Sequence, residues 1–210
     1  MSFEPTAWAR LADRYPWPDA RPSAAECLDG FGVREEGWEF VLDGLSAPLV
    51  VEVGVWCGQT SRWLLERDPG LRLIAVDRWV ADTVWGTMWQ RLIDAGRVWP
   101  NDSIADVWRV NLWDLRARCL AVHETSRVGM RAIADAGIRP DVVFIDAAHR
   151  YEAVLADCLT ALRLWPRAII CGDDYCTEGN LADQVRPAVH DVAQLAGLSV
   201  AVRGRFWRYE

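Results

Sequence analysis

The 210-residue chain has no run of basic residues, no apolar stretch of membrane-spanning length, no C-x-x-C pair and no long polar tract of low complexity. Each absence excludes something. With a net charge of −7 and no arginine-rich helix, the chain lacks the positive field that nucleic acid or an anionic membrane surface requires. A membrane helix needs about 20 consecutive apolar residues, and none is present. The six cysteines, at 27, 57, 119, 158, 171 and 176, stand singly and mostly in apolar surroundings. They read as reduced core thiols rather than as disulfides or zinc ligands. The opening Met1-Ser-Phe-Glu-Pro5 lacks a charged segment followed by an apolar one, so the expectation is a cytoplasmic protein. No internal repeat or flexible linker divides the chain. One domain over 31–210 is expected, preceded by an arm over 1–30 in which Pro16, Pro18 and Pro22 stop regular structure.

What is present centres on one stretch, Glu52-Val-Gly54-Val-Trp56-Cys-Gly58-Gln-Thr60. It follows an apolar strand, Leu49–Val53, and leads into a helical run through Trp63, Leu64 and Leu65. Glycines at such a strand-to-helix turn let backbone approach a ligand, and the helix offers unpaired N–H groups at its first turn. The dinucleotide pattern G-x-G-x-x-G is missing, which counts against a nicotinamide-linked oxidoreductase. An acid ahead of the glycines repels a phosphate but suits a cationic aminocarboxypropyl group. An ordinary glycine-bearing β–α turn is the plainer alternative.

Further along, strand and helix patterns alternate. Strands are expected at Leu71–Val76, Cys119–Val122, Asp141–Ile145 and Ala168–Cys171, with a hairpin formed by Leu198–Val202 and Arg205–Tyr209. Helices are expected at Thr6–Arg14, Ser23–Leu28, Glu35–Leu45, Val128–Gly137, Glu152–Leu164 and Asn180–Ala196. This order predicts an α/β fold, an open and mainly parallel sheet with helices on both faces and an antiparallel end. Between strands two and three, residues 78–118 are far longer than one crossover needs. Six of the thirteen tryptophans crowd there, Trp79, Trp85, Trp89, Trp99, Trp108 and Trp113. They are read either as helical core stripes or as a wall of a substrate pocket.

Ligands of open α/β sheets sit beyond the carboxyl ends of the strands, and acids stand at those ends: Glu52, Asp77, Asp146, and the pair Asp173 and Asp174. Asp77 is placed to accept hydrogen bonds from a ribose diol, or else is a solvated loop aspartate. Asp146, Asp173 and Asp174 without a basic neighbour in sequence would repel one another. Mg²⁺, which takes oxygen ligands, would resolve that, while helix capping by Asp174 is the alternative. His149, three residues after Asp146, is a candidate general base or a surface turn residue. His123 reads as a structural residue at a strand end.

Three motifs carry a resemblance. Glu52–Thr60 is similar to the first motif of class I S-adenosylmethionine methyltransferases, in particular metal-dependent O-methyltransferases of the caffeoyl-CoA type. Phe144-Ile-Asp-Ala-Ala-His-Arg-Tyr-Glu-Ala-Val154 with Cys171-Gly-Asp-Asp-Tyr175 resembles a bacterial group that includes macrocin-type enzymes and cephalosporin-hydroxylase-like proteins. The resemblance implies a Rossmann-like three-layer sandwich with a seven-stranded sheet. It implies cofactor contacts from Glu52, Gly54, Trp56, Gly58, Thr60, Asp77, Arg78, Thr125, Ser126 and Asp146. It also implies a metal at Asp146, Asp173 and Asp174 with His149 as base. Ala148 departs from the caffeoyl-CoA type, which has an acid there, and His149 stands where that type has lysine. The implied activity is methyl transfer to a hydroxyl of a small molecule, a sugar, natural product or phenolic. No nucleic-acid or membrane partner is implied, and self-association through the arm is open. A non-methylating binding or scaffold protein on the same fold is the alternative.

Overall fold

The computed structural model describes residues 4–28, 32–81, 83–175 and 182–210, with the side chains of 83–85 and 182–183 outside that description. Cys176, the side chain of Trp85 and the expected helix start at Asn180 therefore lie outside the described residues. The strands are β1 (Leu49–Val53), β2 (Arg72–Asp77), β3 (Cys119–His123), β4 (Val142–Ile145), β5 (Ile169–Gly172), β6 (Val200–Arg203) and β7 (Phe206–Tyr209). They form one seven-stranded sheet in the order β3-β2-β1-β4-β5-β7-β6. The pairs β1–β2, β1–β4, β2–β3 and β4–β5 are parallel, and β7 runs antiparallel to both β5 and β6. β1 and β4 are buried along their whole length, as apolar strands covered on both faces must be. The chain order reverses between β1 and β4, so a crevice opens at their carboxyl ends.

The period-two alternation of the strands divides the core in two. Val51, Val53, Ile74, Val76 and Val143 face α1 (Pro5–Arg14), α6 (Ser126–Asp135), α7 (Tyr151–Leu164) and α8 (Ala182–Ala196). Val50, Leu73, Ala75, Val142 and Phe144 face α2 (Glu35–Leu42), α3 (Gln59–Arg67) and the long connection after β2. That connection holds α4 (Thr83–Asp94), α5 (Ile104–Asn111) and a 3₁₀ helix over Trp113–Arg118.

The N-terminal segment packs as part of this body. Ala7 and Leu11 are fully buried in the main core, and Arg10 donates to the Ala136 carbonyl at the end of α6. Trp17 stacks on Trp108 at 5.5 Å and donates its indole N–H to the Cys119 carbonyl. The helix expected over Ser23–Leu28 does not form. Side chains of the long connection take that backbone instead: Asp102 accepts from Ala25 N–H, and the buried Asn111 side chain bonds both N–H and C=O of Cys27. Asn111 also donates to the Cys57 carbonyl. It thus ties the arm to the glycine turn. Asn111→Ala would remove three hydrogen bonds to the Cys27 and Cys57 backbone, so a loss of about 2–3 kcal/mol is expected, read as a lowered urea midpoint at unchanged slope.

Candidate functional site

The crevice is a cleft of about 580 Å³ over the carboxyl ends of β1, β2 and β4. Its lining includes Glu52, Gly54, Trp56, Thr60, Asp77, Arg78, Ser126, Asp146, His149, Asp173 and Asp174. The fold thus brings together eleven of the thirteen residues expected from the sequence. Gly58 and Thr125 are not among the lining residues. Gly58 (φ +84) packs its backbone against Trp108 and Leu112 of the long connection, and Thr125 occupies the N-cap position of α6.

Glu52 is 2% exposed at the cleft floor, where its carboxylate accepts a 2.5 Å hydrogen bond from Ser61 Oγ. Burial pushes its carboxyl up to about 8. The Asp146 and Asp77 charges push the same way, and the Ser61 bond opposes them. Gly54 (φ +88) lies so close to the end of β4 that a Cβ there would stand 2.2 Å from the Asp146 carbonyl oxygen. Gly58 at the N-cap of α3 has no side chain to offer, and among the described residues none caps the helix, so the first-turn N–H groups near Gln59 and Thr60 lie at the cleft.

Asp77 organises the neighbouring turn. Its Oδ2 accepts from Val55 N–H (2.8 Å) and Trp56 N–H (3.1 Å), and its Oδ1 from Trp79 N–H (2.7 Å). Trp56 and Trp79 both have positive φ, a conformation costing about 1–3 kcal/mol apiece, and the Trp79 indole closes the loop by donating to the Trp56 carbonyl. His123 binds the Arg78 carbonyl at 2.7 Å and lies edge-on to Trp79, a structural role as expected. Ser126 is held by the buried Asp157, whose carboxyl is pushed up to about 6 by burial against that hydrogen bond.

On the other side of Gly54, His149 Nε2 stands 2.9 Å from Asp174 Oδ2 and 3.3 Å from Asp146 Oδ1. Burial raises the Asp146 carboxyl above the usual carboxylate range, and the His149 hydrogen bond works against that. One donor atom from each of Asp146, His149 and Asp174 falls within 4.8 Å of the others. Asp173 does not join this group. It accepts from Arg205 Nε at 3.1 Å and from Asp174 N–H, with Arg34 Nε at 3.7 Å. Arg205 also pairs with Asp174, which is 4% exposed and strained at φ +60.

Sequence reasoning missed the two arginines. Arg34 precedes α2 and Arg205 sits in the hairpin turn, both remote from any motif. The register Gly172↔Trp207 is what returns Arg205 to the end of β5. Of the two readings of the tryptophans of the long connection, core stripes or cleft wall, the core accounts for most of those described. Among the described side chains of that segment only Trp79 of the tryptophans lines it, with Met88, Ile104 and Val80. Trp89 and Trp108 are buried in the core, and Trp99 is exposed.

This sheet order, with a glycine turn after β1 and acids closing β1, β2 and β4, is the fold of a class I methyltransferase. Residues 51–175, more than half the chain, match the family model of a methyltransferase domain, and the chain belongs to that family. Solved structures agree in fold. An O-methyltransferase from Bacillus cereus in complex with SAH is 16% identical with a TM-score of 0.56, covering 100% of this chain and 91% of its own. Cofactor-bound Rv0187 from MTB is 20% identical with a TM-score of 0.58, covering 99% and 89%. A putative O-methyltransferase from Klebsiella pneumoniae is 16% identical with a TM-score of 0.55, covering 100% and 90%. No curated protein sequence matches the chain.

Proposed function

We propose that the protein transfers a methyl group from S-adenosylmethionine to a hydroxyl of a small molecule. The observation that carries this reading is the buried Glu52 carboxylate at the floor of a cleft lined, among the described residues, by six acids against three arginines. Such a floor is costly to ionise alone and favours a cationic ligand. Glu52 would take the α-amino group, the uncapped start of α3 the carboxylate, and the remaining lone pairs of Asp77 the ribose. S-adenosylmethionine supplies an electrophilic methyl on a sulfonium. At the far end, His149 removes the acceptor's proton as its oxygen attacks in line, and the imidazolium formed lies between Asp146 and Asp174. O-specificity agrees with the names of the Bacillus cereus and Klebsiella pneumoniae neighbours. Mg²⁺, expected from the sequence, has no part in this step, since Arg205 and Arg34 already stand against the acids at this end.

The test uses the proton on Glu52. In the free cleft this carboxyl, pushed up to about 8, is mostly protonated near pH 6.5, and an ammonium beside it favours the ionised form. Binding therefore releases a proton, and affinity for S-adenosylhomocysteine rises with pH between 6 and 7.5 by up to about tenfold per unit. Calorimetry in two buffers of different ionisation enthalpy should report close to one proton released at pH 6.5, and none for Glu52→Gln. The same raised carboxyl lowers folding stability as pH rises from about 4.5 through 8, because the unfolded chain then binds fewer protons. Binding without proton release would contradict the assignment of Glu52.

A further inference from the structure

Asp146, Asp173 and Asp174 would repel one another if nothing balanced them, and a divalent cation is one solution. The structure supplies another. Arg205 reaches both Asp173 and Asp174, Arg34 lies on the second oxygen of Asp173, and His149 stands between Asp146 and Asp174. Two guanidinium groups bring the same two positive charges as a divalent ion. They are permanent, since arginine does not deprotonate in proteins. Among the described residues, the donor atoms that converge are one oxygen each of Asp146 and Asp174 and one imidazole nitrogen, and that nitrogen already lies against both carboxylates. Mg²⁺ prefers all-oxygen shells, and a further +2 here would leave the cleft end net positive, facing the sulfonium that the cleft is read to hold.

We propose that Arg205, assisted by Arg34, occupies the electrostatic place of a divalent metal, so that the acceptor is positioned and activated without one. This rests on reading the Asp146–His149–Asp174 end as the acceptor end. Arg205 is a positioning residue. It fixes the carboxylate of Asp174, whose backbone has positive φ, against His149, and through it the orientation of the base. It also keeps the acid cluster closed to cations.

Two consequences are measurable without knowing the acceptor. Titrated with Mn²⁺ and followed by the electron paramagnetic resonance of the free ion, the wild-type chain should show no saturable site. Arg205→Gln should gain one saturable Mn²⁺ per chain, bound on the order of a hundredfold more tightly than any residual unsaturable binding to wild type, since a unit charge within a few ångströms has gone. Mg²⁺ should compete for it, and adding Asp174→Asn should abolish it. Arg205→Lys keeps a cation there and should bind no Mn²⁺. A stoichiometric Mn²⁺ site in the wild-type chain that Asp146→Asn removes would overturn the proposal. So would an Arg205→Gln variant that melts cooperatively yet gains no site. Should Arg205→Gln fail to fold, the wild-type and Arg205→Lys titrations still decide. S-adenosylhomocysteine calorimetry on the same preparations keeps the two readings separate: absent nucleoside binding sinks the methyltransferase reading, whereas Mn²⁺ binding sinks only this one.

Discussion

Gly54→Ala is expected to lower the melting temperature by roughly 10 °C and to abolish S-adenosylhomocysteine binding. Two independent costs meet at this residue. At φ +88 an alanine Cβ crowds its own carbonyl, for about 1–2 kcal/mol. The same Cβ would lie 2.2 Å from the Asp146 carbonyl oxygen and 2.6 Å from Ala147 Cα. Both are backbone atoms and cannot swing aside. Forcing β1 and β4 apart adds overpacking strain of about 1–3 kcal/mol, and for a domain of this size each kcal/mol lowers the midpoint by roughly 2–4 °C. The displaced atoms carry Asp146, so the damage falls on the cleft as well as on the fold. Scanning calorimetry with and without ligand separates the two effects. A variant that melts like wild type would mean that the β1–β4 approach is looser than described.

The second large effect is expected at Asp77. Asp77→Asn keeps the shape but leaves one acceptor oxygen where three backbone N–H groups converge. Its amide would face one of these donors with another donor. Charge-assisted bonds to a carboxylate contribute about 1.5–3 kcal/mol each. A stability loss of about 2–3 kcal/mol is therefore expected, together with release of the strained Trp56 and Trp79 backbones. Loss of the proposed ribose contact compounds this. Affinity for S-adenosylhomocysteine should fall on the order of a hundredfold or more, measured by calorimetry at a temperature where the variant is folded. An unchanged affinity would show that Asp77 serves the turn alone.

Both substitutions fall on residues that the sequence marked, because their signals are local. An acid before a glycine turn and an acid closing the next apolar strand can be read from a few neighbouring residues, and β1 and β2 formed where the apolar runs placed them. The rest depends on contacts between distant segments. Ser23–Leu28 has helical spacing, yet Asn111 and Asp102 claim its backbone from more than seventy residues away. Helical spacing cannot tell a tryptophan turned to a cleft from one turned to an arm, and Trp108 meets Trp17. Arg205 reaches Asp173 only through the antiparallel register of the last hairpin. Charge balance at a site is a property of the folded sheet, which is why the acids were visible first and their counter-charges only afterwards.

A crystal structure of the complex with S-adenosylhomocysteine is the most direct test of where the proposed methyl donor lies relative to the acceptor end. The amino-acid end is expected over Glu52 and the start of α3, the ribose at Asp77, and the sulfur turned toward Asp146, His149 and Asp174. S-adenosylhomocysteine bound with its sulfur turned away from His149, or outside the Glu52–Asp77 cleft altogether, would contradict this placement.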